Sequence, residues 1–225
     1  MKSKKKSKLG SIFDIRYLFY DFVKLTGFIP AALFLRLKKY NYLKKKQKDL
    51  FKGRVIVISN HIDYFDVLVL LMTFWNRRVS FIAKDELFNP KVGNFFFKAV
   101  NAIPIQNKNV NIDTFKRAIN ELNAGHMVGL FPEGHVKKQE GIDKFKSGAV
   151  LLAHITGIPI VSIYIQEKEK WYHRQRIIIG KKFNVSELIT SDIPSIDEID
   201  KVTQMLYDHE LELEKDIQKQ IKKEY

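Results

Sequence analysis

The sequence predicts an α/β domain: a mostly parallel central sheet with helices on both faces, preceded by an N-terminal helical hairpin. Three observations carry this expectation. Short runs rich in β-branched residues, at 55–58, 79–83, 102–105, 126–131, 158–165 and 176–180, alternate with stretches of helical periodicity. The first of these runs, Val55, Ile56, Val57 and Ile58, is apolar at every position, as in strands buried on both faces. The 225 residues are enough for one sizeable α/β domain with an appendage and little more.

In chain order, residues 1–8, MKSKKKSK, read as a solvated basic tail. Residues 9–43 are rich in Phe, Tyr, Leu and Ile, with Gly27 and Pro30 marking a break between two helical segments. The longest uncharged run there, 25–35, has eleven residues, against the roughly 20 needed to cross a bilayer as a helix. A hairpin lying in one leaflet fits, with Phe13, Tyr17, Phe19, Tyr20, Phe22, Phe28 and Phe34 at headgroup depth; packing of these helices on the domain is the alternative. Lys44, Lys45, Lys46 and Lys48 form a basic linker, so residues 1–45 are expected as tail and hairpin and 46–225 as the α/β domain.

Charge and composition narrow the partners. The net charge of +14 is concentrated at the start, where residues 1–54 hold 16 Lys or Arg against 3 Asp or Glu, while residues 55–225 hold 23 against 22. Such a cluster fits an anionic membrane surface at its cytoplasmic face. Nucleic acid is disfavoured, because the chain has no recognition-helix pattern, zinc ligands or aromatic-glycine strand motif. No signal peptide is read at the start. The absence of cysteine removes disulfides, thiolate metal sites and a cysteine nucleophile. No metal is expected, since histidines and acids do not cluster at ligand spacing, and no cofactor is required.

The chemistry concentrates around residues 55–71, VIVISNHIDYFDVLVLL. Ser59, Asn60, His61, Asp63 and Asp66 fall just beyond the carboxyl end of the first core strand, where an open α/β sheet places its ligands. On one continuous helix His61 and Asp66 would stand about 140° apart, so they can meet only across a turn. With His61 in the turn and Asp66 in the first turn of the following helix, the carboxylate holds one ring nitrogen and leaves the other as a base. Downstream, Lys84 ends the second strand at the same crevice, followed by Pro90 and Gly93 in the next turn. Residues 112–123 form an amphipathic helix stopped at Gly125. Pro132, Glu133, Gly134 and His135 then make a tight turn presenting backbone N–H groups and one carboxylate. Residues 144–157 read as a helix and 195–225 as a covering helix of mixed charge.

Taken together, four stretches resemble the glycerolipid acyltransferases, the family of 1-acylglycerol-3-phosphate acyltransferases. They are Asn60-His61 with Asp66; Lys84, Leu87, Pro90 and Gly93; the Phe-Pro-Glu-Gly turn at 131–134; and the apolar strand containing Pro159-Ile160. The resemblance runs from about residue 53 to 180 and includes the Phe-Lys-Ser-Gly-Ala helix start at 145–149. It implies transfer of a fatty acyl group from acyl-CoA or acyl carrier protein to a lysolipid hydroxyl, with His61 as general base oriented by Asp66. Lys84 or a turn N–H would serve the oxyanion or donor site, and Asn60, Glu133, Gly134 and Lys137 the acceptor. Without a cysteine or a Gly-x-Ser-x-Gly elbow, direct attack by the acceptor is the simpler route.

Two departures bear on the acceptor. Where the family carries an arginine after Ile-Asp and another after Glu-Gly-Thr, this chain has Asn107 and Val136. Lys108, Lys137 and Lys138 stand nearby in sequence, but lysine is a point charge and does not reproduce a bidentate guanidinium. A non-glycerophosphate acceptor, a hydrolase and a non-catalytic membrane-binding relative are the alternatives.

Overall fold

The computed structural model describes residues 15–42, 50–84, 101–105, 112–137, 141–168, 170 and 172–224. The tail at 1–8, the Lys44–48 linker, the Leu87, Pro90 and Gly93 motif, Asn107, Lys108 and Lys138 lie outside the described residues, as does the side chain of Lys84.

Seven strands form one sheet in the order β1-β7-β6-β2-β5-β3-β4. They are β1 (Lys38–Asn41), β2 (Ile56–Ser59), β3 (Val79–Lys84), β4 (Ile103–Ile105), β5 (Met127–Leu130), β6 (Ile160–Ile165) and β7 (Arg176–Phe183). Every pairing is parallel except β6 with β7. The expected mostly parallel sheet is therefore present, with two features the apolar runs did not announce. The strand at 176–183 returns antiparallel, and the charged segment at 38–41 pairs parallel with it as an edge strand.

The helices explain why the central strands are mostly apolar. Helices α1 (Ile15–Leu35) and α2 (Asp66–Thr73) cover one face, where Tyr20, Leu35, Val69 and Leu70 pack with Val57, Phe81 and Ile163. Helices α3 (Ile112–Asn123), α4 (Gly148–Thr156), the short α5 (Val185–Leu188) and α6 (Ile196–Lys222) line the other. There Ala118, Leu122, Leu152 and Leu206 pack with Ile56, Ile58, Val128 and Ile160. Successive residues of β2 thus enter opposite cores, and burying each such side chain contributes roughly 1.5–3 kcal/mol. Helix α6 begins with a capping box between Ser195 and Glu198, and its far end packs Leu213 and Ile217 on Tyr40, Tyr164 and Ile178.

Helix α1 corrects the expected break. It runs unbroken through Gly27 and Pro30, although an internal proline costs a helix about 3 kcal/mol. Packing on both sides of those residues holds it: Tyr20 shares hydrogen bonds with the backbone of Val79, while Ala31 and Leu35 are buried. The sheet then begins at once with β1, so no second helix of a hairpin follows α1 among the described residues.

Candidate active site

The carboxyl ends of β2, β5 and β6 meet at one place, and each delivers a different part of the site. Strand β2 ends at Ser59 and the chain turns through residues 60–65 before Asp66 opens α2. That turn brings His61 Nδ1 to 2.9 Å from Asp66 Oδ2. The same oxygen accepts the backbone N–H groups of Ile62 at 2.6 Å and Asp63 at 2.9 Å. The carboxylate therefore fixes both the ring and the loop that carries it.

Two more carboxyl groups complete the support. Glu133, buried in the turn after β5, accepts the backbone N–H of His61 at 2.8 Å through Oε1 and that of Asp143 at 3.1 Å through Oε2. Glu210, fully buried on α6, accepts the backbone N–H of Asn60 at 3.4 Å. Four consecutive N–H groups, from Asn60 to Asp63, thus end on carboxyl groups from three elements. The Asn60 side chain completes the register with β6, donating to the Ile165 carbonyl at 3.0 Å and accepting the Ile165 N–H at 2.8 Å.

Burial governs the electrostatics. It raises the Asp66 carboxyl above its ordinary value, with the bonds from His61 and Asp63 acting in the other direction. Burial likewise raises Glu133, opposed by the N–H donors of His61 and Asp143. Glu210 is pushed up to about 8, chiefly by burial, with the charges of Glu133 and Glu214 adding to it.

An aromatic shelf fixes the face of the imidazole. The ring of Phe131 stacks on His61 with centroids 4.0 Å apart and planes 15° apart, and Phe81 lies behind Phe131 at 6.1 Å. Phe81 in turn occupies the space beside Gly129, where an added Cβ would lie 2.4 Å from the ring. Asp66 takes Nδ1, so Nε2 is the ring nitrogen left uncommitted among the described residues.

The positions read from sequence fall as follows. Asn60, His61, Asp66, Glu133 and Gly134 converge at this sheet edge, and Lys84 is the last residue of β3 there. Lys137 differs. Its backbone N–H reaches the His61 carbonyl at 2.7 Å, and its ammonium pairs with Glu167 at 2.6 Å. Sequence reasoning missed Glu210 and the role of Phe131. Nothing in the spacing marks Glu210, whereas Phe131 directly precedes the Pro-Glu-Gly turn and its aromatic character was visible.

This fold and this cluster define a class. Residues 35–166 match the family model described as Acyltransferase, and the chain belongs to that family. It is an acyltransferase. A Bacillus subtilis relative named 1-acyl-sn-glycerol-3-phosphate acyltransferase is 27% identical over 164 residues, spanning 71% of this chain and 80% of the relative. A Mycoplasma pneumoniae relative with the same name, qualified as probable, is 28% identical over 141 residues, 60% of this chain and 53% of that protein. The solved 1-acyl-sn-glycerophosphate (LPA) acyltransferase, PlsC, from Thermotoga maritima shares the fold, with a TM-score of 0.58 at 17% identity over 92% of this chain and 96% of that one.

Proposed function

We propose that the chain moves a fatty acyl group from a CoA or acyl-carrier-protein thioester to the free hydroxyl of 1-acylglycerol 3-phosphate or a related lysolipid, working at a membrane surface. The observation that carries this reading is the 2.9 Å contact of His61 Nδ1 with Asp66, made on a loop held by three carboxyl groups. The names of the relatives supply the acceptor class.

In this reading the acceptor hydroxyl attacks the thioester carbonyl while His61 Nε2 takes its proton, and Asp66 steadies the imidazolium that forms. The tetrahedral oxyanion is met by Lys84 or a turn N–H. Collapse breaks the carbon–sulfur bond, and the imidazolium returns its proton to the leaving thiolate, giving an ester and a free thiol. No acyl-enzyme is needed.

The membrane reading rests on α1 and the catalytic loop. No described helix is long and apolar enough to cross a membrane. Yet Leu18, Phe22, Leu25, Ile29 and Leu33 form one stripe along α1, each more than half exposed, and Tyr64 and Phe65 between His61 and Asp66 are equally exposed. Phe34 joins the two surfaces by packing its ring 5.8 Å from Phe65. A patch of this kind beside the base suits seating at a lipid interface rather than in water.

The test is product analysis with labelled acyl-CoA and acyl carrier protein against a panel of lysolipids. Labelled diacyl product with an acceptor, and none without, supports the reading; free fatty acid formed regardless of acceptor makes the protein a hydrolase. Replacing Leu25, Ile29 and Leu33 together by glutamate is expected to abolish pelleting with anionic vesicles, and unchanged pelleting would refute the interfacial seat.

A further inference from the structure

Where the resemblance implies arginines that grip the acceptor's phosphate, this chain has Asn107 and Val136, and Lys137 is already paired with Glu167 at 2.6 Å. We propose that Lys146 supplies the missing phosphate contact, reaching the Glu133-Gly134 turn from outside the motif that normally holds it. This assignment rests on the lysophosphatidate reading above.

Four observations support it. The backbone N–H of Lys146 donates to the Pro132 carbonyl at 2.8 Å, which pins the residue against the turn. Its Nζ lies 2.8 Å from the point where a Cβ on Gly134 would stand, so the ammonium fills the space that the glycine leaves open. Gly134 itself has φ +76, a left-handed conformation that independently favours glycine. Among the described residues the ammonium makes no hydrogen bond or ion pair, and its side chain is exposed.

The other polar groups at the turn are spoken for. His135 Nδ1 faces the Val136 carbonyl at 3.2 Å and lies 3.8 Å from Asp143. Glu133 is occupied by the N–H groups of His61 and Asp143. One turn therefore carries the ring on which the base stacks, the acid that holds the base's backbone, and the glycine over which a cation lies. A phosphate monoester is a ligand that a single ammonium there can attract, and lysine binds it as a point charge where an arginine would form a fork.

The test uses the full chain in non-ionic detergent micelles, where the acceptor is the only phosphate-bearing lipid. Lys146→Met is expected to raise KM for 1-acylglycerol 3-phosphate about tenfold while kcat stays within about twofold, and to leave KM for monoacylglycerol unchanged. Lys146→Arg should keep the wild-type KM, and adding Val136→Arg to Lys146→Met should recover it. A wild-type KM in Lys146→Met, or an equal rise for both acceptors, overturns the assignment. A parallel loss of binding to phosphatidylglycerol vesicles also overturns it, because the lysine would then be reading bilayer phosphate. A wild type that acylates monoacylglycerol but not 1-acylglycerol 3-phosphate removes the reading and the assignment together.

Discussion

The chain contains the same chemical pair at opposite ends of its sheet. His61 and Asp66 are five residues apart and meet at 2.9 Å; Glu121 and His126 are also five apart and meet at 2.7 Å, again through Nδ1. Both imidazoles are largely shielded from solvent. The difference lies in what surrounds them. The first pair spans the turn from the carboxyl end of β2 into α2, and the other bonds of Asp66 go to its own loop. The second spans the turn from α3 into the amino end of β5. There Glu121 also accepts the Ser80 hydroxyl at 3.0 Å, and Asn101 donates to Ser80 at 2.9 Å, tying β3 to α3. Geometry within a pair does not assign chemistry. The carboxyl end gathers turns from three strands around one imidazole, whereas the amino end uses its pair to join elements.

Substitutions can sharpen or break that contrast. The largest effect among them is expected from Asp66→Ala, which removes the ring's partner and the acceptor of two backbone N–H groups. It should lower kcat by a factor on the order of 10²–10⁴ and also lower the melting temperature. A loss of stability with kcat unchanged would make this pair structural, like its counterpart.

Glu210→Gln should act mainly on pH dependence. The folded state raises Glu210 to about 8, so it favours the neutral acid. That contribution to stability is full below the ordinary carboxyl range and is lost as pH rises toward about 8. Glutamine cannot ionise, so thermal melts of the variant should decline less than wild type between mildly acidic and alkaline pH; parallel curves would contradict the burial argument. His126→Gln should have the smallest effect on turnover, leaving kcat/KM within about twofold while costing about 1 kcal/mol of stability in chemical denaturation.

Much of this architecture was legible in the sequence, for a physical reason. Strands buried on both faces read as near-continuous apolar runs, so β2, β3, β5 and β6 declared themselves within a residue or two. The turn between His61 and Asp66 followed from helix geometry alone, since five residues on a helix would separate them. What escaped notice depended on distant partners. The Lys-Lys-Tyr-Asn segment of β1 has no strand signature and is ordered by pairing with β7, some 140 residues later. Proline and glycine signalled a break in α1 that packing overrides. Glu210 read as one more charge on an amphipathic helix, because nothing local reveals that its side chain ends beneath Asn60. The pairing of Lys137 with Glu167 was not legible, because Glu167 arrives from the loop after β6.

The most direct test of the central claim compares wild type, His61→Ala and His126→Ala in one assay of acyl transfer from a labelled thioester to 1-acylglycerol 3-phosphate, each variant checked for folding by circular dichroism. Only His61→Ala is expected to lose turnover, by at least about 10²-fold, with its spectrum unchanged. A folded His61→Ala that turns over at the wild-type rate would show that the base lies elsewhere.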